Sequence, residues 1–274
     1  DFCLSRGLGD VYKRQSLFTA AIVPGITQML FYGLVIWLLV LFRPSLAPRS
    51  DRASWTERFR ALSRIFDMLA LIALVIGGIA LGWMSPTEAA SVGVSGSLLI
   101  ALLRRRLSLN MLQHAFGETL RTSGMILLVV IGALTFSVFV SVTGLADALG
   151  TLVTAFDLGP VSTLLLVALL LLLLGSVLDG LALMLLTTPI LLPIVQQVGM
   201  SPIWFGIFIC RAMEIGFVHP PLGMNLYVIQ GVAKDVPITR IFKGVAPFLL
   251  SDLLHLLLLI LFPAMALWLP SILE

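Results

Sequence analysis

Apolar runs of membrane-spanning length, separated by short polar breaks, set the pattern of this chain. Crossing a hydrocarbon core takes roughly 20 consecutive apolar helical residues. Runs of that size predict spans over 17–42, 66–84, 121–142 and 241–269. A further span opens at Ser85-Pro86-Thr87-Glu88 and runs to Leu103. Its opening is a capping box with Pro at the first helical position, so Glu88 is expected as a cap rather than a site. Ala89, Gly93 and Ser97 then recur at four-residue spacing, a pattern for close helix packing. The stretch after Val142 is expected to be a loop whose only charges are Asp147 and Asp157.

Two apolar segments do not read as simple crossings. Residues 159–198 are long enough to cross twice, yet their middle is Gly175-Ser176-Val177-Leu178-Asp179-Gly180. Neither Lys nor Arg lies near that turn, which favours a re-entrant hairpin with its tip at membrane depth over two full crossings. Residues 203–232 begin as a helix, break over Gly216-Phe217-Val218-His219-Pro220-Pro221-Leu222-Gly223-Met224-Asn225, and resume. Two consecutive prolines remove two amide donors and cannot sit inside an α-helix. In lipid, backbone groups freed in this way are tolerated only where protein or a wet cavity satisfies them. Broken helices at the membrane midplane are typical of secondary transporters.

Composition turns the pattern into a class. Of 274 residues, 59% are hydrophobic and 11% charged, and the mean hydropathy is +1.09. Soluble domains have about a quarter of their residues charged, so the chain is expected to be an all-α polytopic membrane protein. The net charge of +3 says less than its distribution. Arginines and lysines concentrate over 43–64, 104–121 and 234–243, which places those loops in the cytoplasm. Asp147, Asp157 and the C-terminus then fall outside. Within the first basic loop, Trp55, Phe59, Leu62 and Phe66 recur at helical spacing. That predicts an amphipathic helix lying in the interface; the alternative is a solvated linker.

Cys3 and Cys210 make no disulfide framework. Residues 1–15 match nothing that follows in composition and are expected to be a non-native leader, set apart from the fold. The remainder is expected to divide into scaffold spans over 16–158, a transport element over 159–239 and a final span over 240–274. A faint repeat joins Leu17–Pro24 to Arg240–Pro247, each with Pro one turn into a long apolar run. Repeats of inverted topology are common in transporters. The first span would then close an earlier repeat, and the chain would be the C-terminal part of something longer.

Candidate chemistry gathers at the two interruptions. A carboxylate at bilayer depth costs roughly 2.5–3.5 kcal/mol, so Asp179 needs a role. It could contact a cation or substrate, or cap the second arm of its own hairpin. Gly175 and Gly180 would allow a tight turn around it. In the broken helix, carbonyls ending the first half at Gly216 could coordinate a hard cation such as Na⁺. Pro220 and Pro221 would hold the break open and Gly223 would turn the chain. Asn225 is expected to cap the second half, whose amide end favours an anion. A proline kink repaired by neighbouring helices is the alternative. His219 is expected as a hydrogen-bonding residue, Arg211 and Glu214 as an intrahelical ion pair, and Asp252 and His255 as structural polar contacts. Enzymatic signals are poor. Gly7-Leu8-Gly9-Asp10 matches the GxGD pattern of intramembrane aspartyl proteases but lies in the polar leader, and nothing pairs a nucleophile with a base.

GSVLDGLALMLLTTPILLPIV, GMSPIWFGIFICRAMEIGFVHPPLGMNLYVIQGVAKDVP and the closing FKGVAPFLL and FPAMALWLP together resemble the end of the large membrane subunit of TRAP (tripartite ATP-independent periplasmic) transporters, DctM-like. LGWMSPTEAASVG and MILLVVIGALTFS resemble it too, and the likeness covers about 16–273. It implies an elevator-type symporter of the ion-transporter-superfamily fold, with this chain holding the second inverted repeat. It also implies Na⁺ coupling, with no further cofactor, and a bacterial inner membrane location. The implied partners are a small four-helix membrane subunit and a periplasmic binding protein that delivers an organic anion, usually a carboxylate. The family's second hairpin tip maps to Ser176, Asp179 and Gly180, and its broken helix to Gly216–Asn225. His219 stands where the family often has Thr before Pro-Pro. The first hairpin and first broken helix have no counterpart here, so half a binding site is expected. A single-component Na⁺/dicarboxylate symporter of the same fold is the nearest alternative.

Overall fold

A computed structural model describes residues 2–46, 54–155, 158–219, 223–233 and 235–273. Those residues form eleven α-helices and one short 3₁₀ turn, and no strand occurs among them. Five helices are long and apolar enough to cross a membrane: Ser16–Phe42, Pro86–Leu103, Leu109–Thr143, Gly180–Gln197 and Ile238–Leu261. The chain is a multi-pass all-α membrane protein. It divides into two compact units: Asp1–Thr19 with Arg43–Ser123, and Ala20–Phe42 with Gly124–Glu274. The second unit therefore takes the long arm of α1 (Phe2–Phe42), which the sequence groups with the scaffold.

The first unit is built on α2 (Trp55–Ala80) and α3 (Pro86–Leu103). Both start with a capping box, Ser54 with Glu57 and Ser85 with Glu88, as the second motif predicts. The amphipathic stretch and the following span are one helix with a 56° bend between Ser63 and Ile65. Before that bend Trp55, Phe59 and Leu62 are exposed, and the Arg58 guanidinium lies 5.0 Å from the Trp55 ring centroid. The close-packing face of α3 differs from expectation. Ala89 is buried, a Cβ on Gly93 would sit 3.7 Å from Val75, and the tightest approach is Gly96 against Leu71. Ser97 instead faces away and bonds the Gly93 carbonyl. The stripe thus runs i, i+4, i+7, following the 3.6-residue turn rather than a strict four. An ion pair between Arg104 Nε and Asp67 Oδ2, at 2.9 Å, links the C-terminal cap of α3 to the middle of α2.

The second unit packs around α8 (Pro202–Val218). Trp204, Phe205, Phe208, Ile209, Ala212 and Ile215 are all buried, on several sides of one helix, so protein rather than lipid surrounds it. Its neighbours are α6 (Pro160–Gly175), α7 (Gly180–Gln197), α9 (Met224–Val232), α10 (Ile238–Leu261) and α11 (Ala264–Leu273). Trp204 stacks on Phe208 at 4.8 Å and donates its indole N–H to the Leu259 carbonyl of α10. From α6, Leu164, Val167, Ala168, Leu171 and Gly175 line up at helical spacing on the buried side.

Two predicted elements are corrected. The loop after Val142 is short: Gly144 takes a positive φ of 64°, and α5 (Leu145–Ala155) follows α4 (Leu109–Thr143) and packs on α7. The final span is two helices, because Pro263 has no amide to donate and Phe262 leaves helical geometry at φ −126°. The backbone of residues 2–15, which the sequence sets apart as a leader, is helical and continuous with the first span.

Candidate functional site at the hairpin tip and the helix break

The arms α6 and α7 pack against each other and are joined by a tip of four residues, Ser176–Asp179. At 1.5 Å per residue their 16 and 18 residues are about 24 and 27 Å long. The tip is held by its own backbone: the Ser176 amide bonds the Leu172 carbonyl at 3.1 Å and the Leu178 amide bonds the Leu174 carbonyl at 2.8 Å. The Ser176 hydroxyl donates to the Leu173 carbonyl. Asp179 caps α7, accepting from the Leu181 amide at 3.1 Å, with the rest of its carboxylate exposed. A good cap and an available carboxylate are therefore combined in one side chain.

The break lies where the sequence places it. α8 ends at Val218, His219 takes an extended conformation with ψ 127°, and α9 starts at Met224. The His219 amide bonds the Gly216 carbonyl at 3.2 Å, and the Gly223 amide bonds the His219 carbonyl at 3.0 Å. A Cβ on Gly223 would fall 2.9 Å from the Phe217 carbonyl oxygen, so only glycine fits the returning chain. Gly223 is also the N-cap of α9, with no side-chain bond. Asn225 is not the cap: it is exposed inside the first turn, because Gly223 already takes the non-helical cap position. Pro220 and Pro221 lie outside the described residues.

Tip and break meet. A Cβ on Gly216 would lie 2.7 Å from the Gly175 carbonyl carbon and 2.9 Å from its Cα and oxygen, so α6 and α8 touch backbone to backbone. On the other arm, a Cβ on Gly180 would fall 2.8 Å from Phe217 Cζ and collide with Met213. Gly216 and Gly180 thus serve close approach, while a Cβ on Gly175 would meet nothing nearer than 3.3 Å. Neither Gly175 nor Gly180 is among the glycines with positive φ, so no special turn requires them. Met213 and Phe217 went unpredicted, since neither type marks a site by itself.

Behind this contact lies a buried polar cluster that joins three helices. Asp252 of α10 accepts on one oxygen, Oδ1, from Gln28 Nε2 at 2.6 Å, Tyr32 Oη at 2.7 Å and Arg211 Nη2 at 3.2 Å. The other terminal nitrogen of Arg211 bonds Glu214 on its own helix. One turn on from Asp252, His255 Nε2 lies 2.9 Å from Thr27 Oγ1 of α1. The Arg211–Glu214 pair agrees with its i, i+3 spacing. Asp252 as a second partner, and Thr27, Gln28 and Tyr32 of α1, were not legible as contacts. Their only signal is register: Gln28 and Tyr32 follow Pro24 by four and eight residues, as Ser251 and His255 follow Pro247.

Among the described residues no three His, Cys, Asp or Glu side chains gather into a metal site. The oxygens available at tip and break are the Asp179 carboxylate, the Ser176 hydroxyl and the carbonyls ending α8. Hard cations accept such ligands, and a helix start such as that of α9, whose Gly223 cap makes no side-chain bond, favours anions.

Over residues 13–265 the chain matches the family described as "Tripartite ATP-independent periplasmic transporter, DctM component". The chain belongs to that family. It is 34% identical to the C4-dicarboxylate TRAP transporter large permease protein DctM of Rhodobacter capsulatus, over 94% of this chain and 58% of the relative. Identity to the sialic acid TRAP transporter large permease protein SiaM of Vibrio cholerae is 32%, over 94% and 60%. For the ectoine TRAP transporter large permease protein TeaC of Halomonas elongata it is 30%, over 92% and 59%. The chain thus spans about three fifths of the length of these relatives. DctM components belong to transporters and not to enzymes, so the GxGD match carries no protease reading.

Proposed function

We propose that this chain is part of the large permease of a Na⁺-coupled TRAP transporter that imports an organic anion. The observation that carries the reading is the backbone contact between Gly175 and Gly216. It seats a hairpin tip bearing an exposed carboxylate directly against the end of a broken helix. Na⁺ would be held by oxygens of Asp179, Ser176 and the end of α8, and the substrate anion by the amide end of α9. The relatives named for C4-dicarboxylate, sialic acid, ectoine and isethionate act on compounds that each carry a carboxylate or sulfonate. A carboxylate is therefore the substrate group we favour. A periplasmic binding protein would deliver it, and a small membrane subunit would brace the permease in the bacterial inner membrane, with the C-terminus on the periplasmic side.

The experiment is uptake into liposomes by the intact permease with its two partners, driven by a Na⁺ gradient. Asp179→Asn keeps a capping side chain but removes the charge. Uptake should be abolished while insertion and melting temperature stay unchanged. Wild-type uptake by the Asn variant would remove Asp179 from the site. Uptake by the wild-type permease without the binding protein would favour a single-component symporter instead.

A further inference from the structure

Arg211 lies five residues before Gly216 on α8, about 7.5 Å along the axis. Its planar fork is divided between two carboxylates on two helices, Glu214 and Asp252. Asp252 is 4% exposed and is also gripped from α1 by Gln28 and Tyr32. A buried ion pair is a poor source of stability, because hydrophobic side chains of similar volume serve as well or better. Its distinctive property is direction: it fixes the rotation and height of one helix against its neighbours. Glu214 contributes to that by holding the plane of the guanidinium while its own side chain stays 57% exposed. The contact that needs such precision is one and a half turns away, where the gap between Gly216 and Gly175 is too small for a methyl group.

We propose that Arg211, clamped by Asp252, is a positioning residue that keeps Gly216 seated on Gly175 and so sets the spacing of hairpin tip and helix break. Through Gln28 and Tyr32 the same clamp ties the long arm of α1 to that machinery. The proposal rests on the transport reading only for its functional consequence, since the packing claim stands without it. Lysine at 211 would keep the charge but not the fork, as one ammonium cannot reproduce two separately aimed nitrogens.

The test is amide hydrogen exchange on the intact permease complex carrying Arg211→Lys, beside Na⁺-driven uptake. Exchange at the amides of 176–180 and 217–219 should accelerate at least tenfold, with α11 amides within twofold of wild type. Half-saturating Na⁺ should rise several-fold while maximal uptake changes less than twofold. Uniform acceleration throughout the second unit would show a merely structural pair and overturn the proposal. So would unchanged exchange at the tip in a folded variant. If Arg211→Lys does not fold, Asp252→Asn, which keeps the Oδ1 acceptor, carries the same comparison with the same limits. A permease whose uptake ignores Na⁺ while its tip exchange behaves as described would sink the coupling ion and leave the positioning role intact.

Discussion

At Gly216 and Arg105 the backbone restricts which side chain can stand there, in different ways. Gly216→Ala would press a methyl group onto the Gly175 backbone, which cannot rotate away. Overpacking of this kind costs roughly 1–3 kcal/mol, so the purified protein should melt at a clearly lower temperature and uptake should fall. Gly132→Ala, inside α4 where a Cβ meets nothing within 4 Å, is the matched control. It should leave uptake unchanged and the melting temperature level or slightly higher, alanine being the better helix former. Gly96→Ala should be milder than Gly216→Ala, because the atom it meets is the flexible end of Leu71. Arg105 sits at φ 52° just past the end of α3, and the Arg106 amide reaches back to the Ala101 carbonyl. That is a helix-ending motif that normally uses glycine. Arg105→Gly should raise stability by up to about 1 kcal/mol, read as a higher melting temperature. The sequence shows that Gly216 is special through the prolines that follow it. It does not show the reason, because the partner backbone lies 41 residues earlier in the chain.

At the scale of elements, caps and breaks were legible because their causes are local. Ser85 with Glu88, Asp179 before Gly180, and the stop at Gly216–His219 each follow from a few adjacent residues. Asp179 deserves a second substitution on these grounds. Asp179→Ala removes cap and charge together, and an N-cap loss costs about 1 kcal/mol. It should therefore lower the melting temperature as well as abolish uptake, whereas Asp179→Asn should do only the latter. The difference between the two melting curves measures the cap alone. Misread elements share a cause of another kind. Leu145–Ala155 reads as a loop because apolar length, not helix ends, marks the spans; the break at Phe262–Pro263 is hidden because apolar residues continue on both sides of the proline. Asn225 lost the cap to Gly223, whose conformation depends on chain returning past Phe217.

For the molecule as a whole, the all-α class is legible because lipid admits only helices and closed barrels, and apolar runs of about 20 residues have helical length. The division into units was not legible. Nothing local announces that Gln28 and Tyr32 of α1 meet an aspartate more than 200 residues away. A double-mutant cycle tests that tie directly. Gln28→Leu and Asp252→Ala, made singly and together, should be non-additive by about 0.5–3 kcal/mol in unfolding free energy, the range for residues sharing one hydrogen-bond network. Additive effects would mean that the Gln28 hydrogen bond to Asp252 does nothing to hold the long arm of α1 against α10.

The stacking of Trp204 on Phe208 has a practical consequence for watching this protein move. Of the five tryptophans, Trp204 is completely buried, whereas Trp37, Trp55, Trp83 and Trp268 are each more than half exposed. Brominated lipids should therefore quench the other four and spare one indole, which is hydrogen-bonded to α10 from the first turn of α8. The residual emission becomes a built-in optical gauge of the α8–α10 seam. A spectral shift on adding Na⁺ would report that seam opening or tightening, with no label attached.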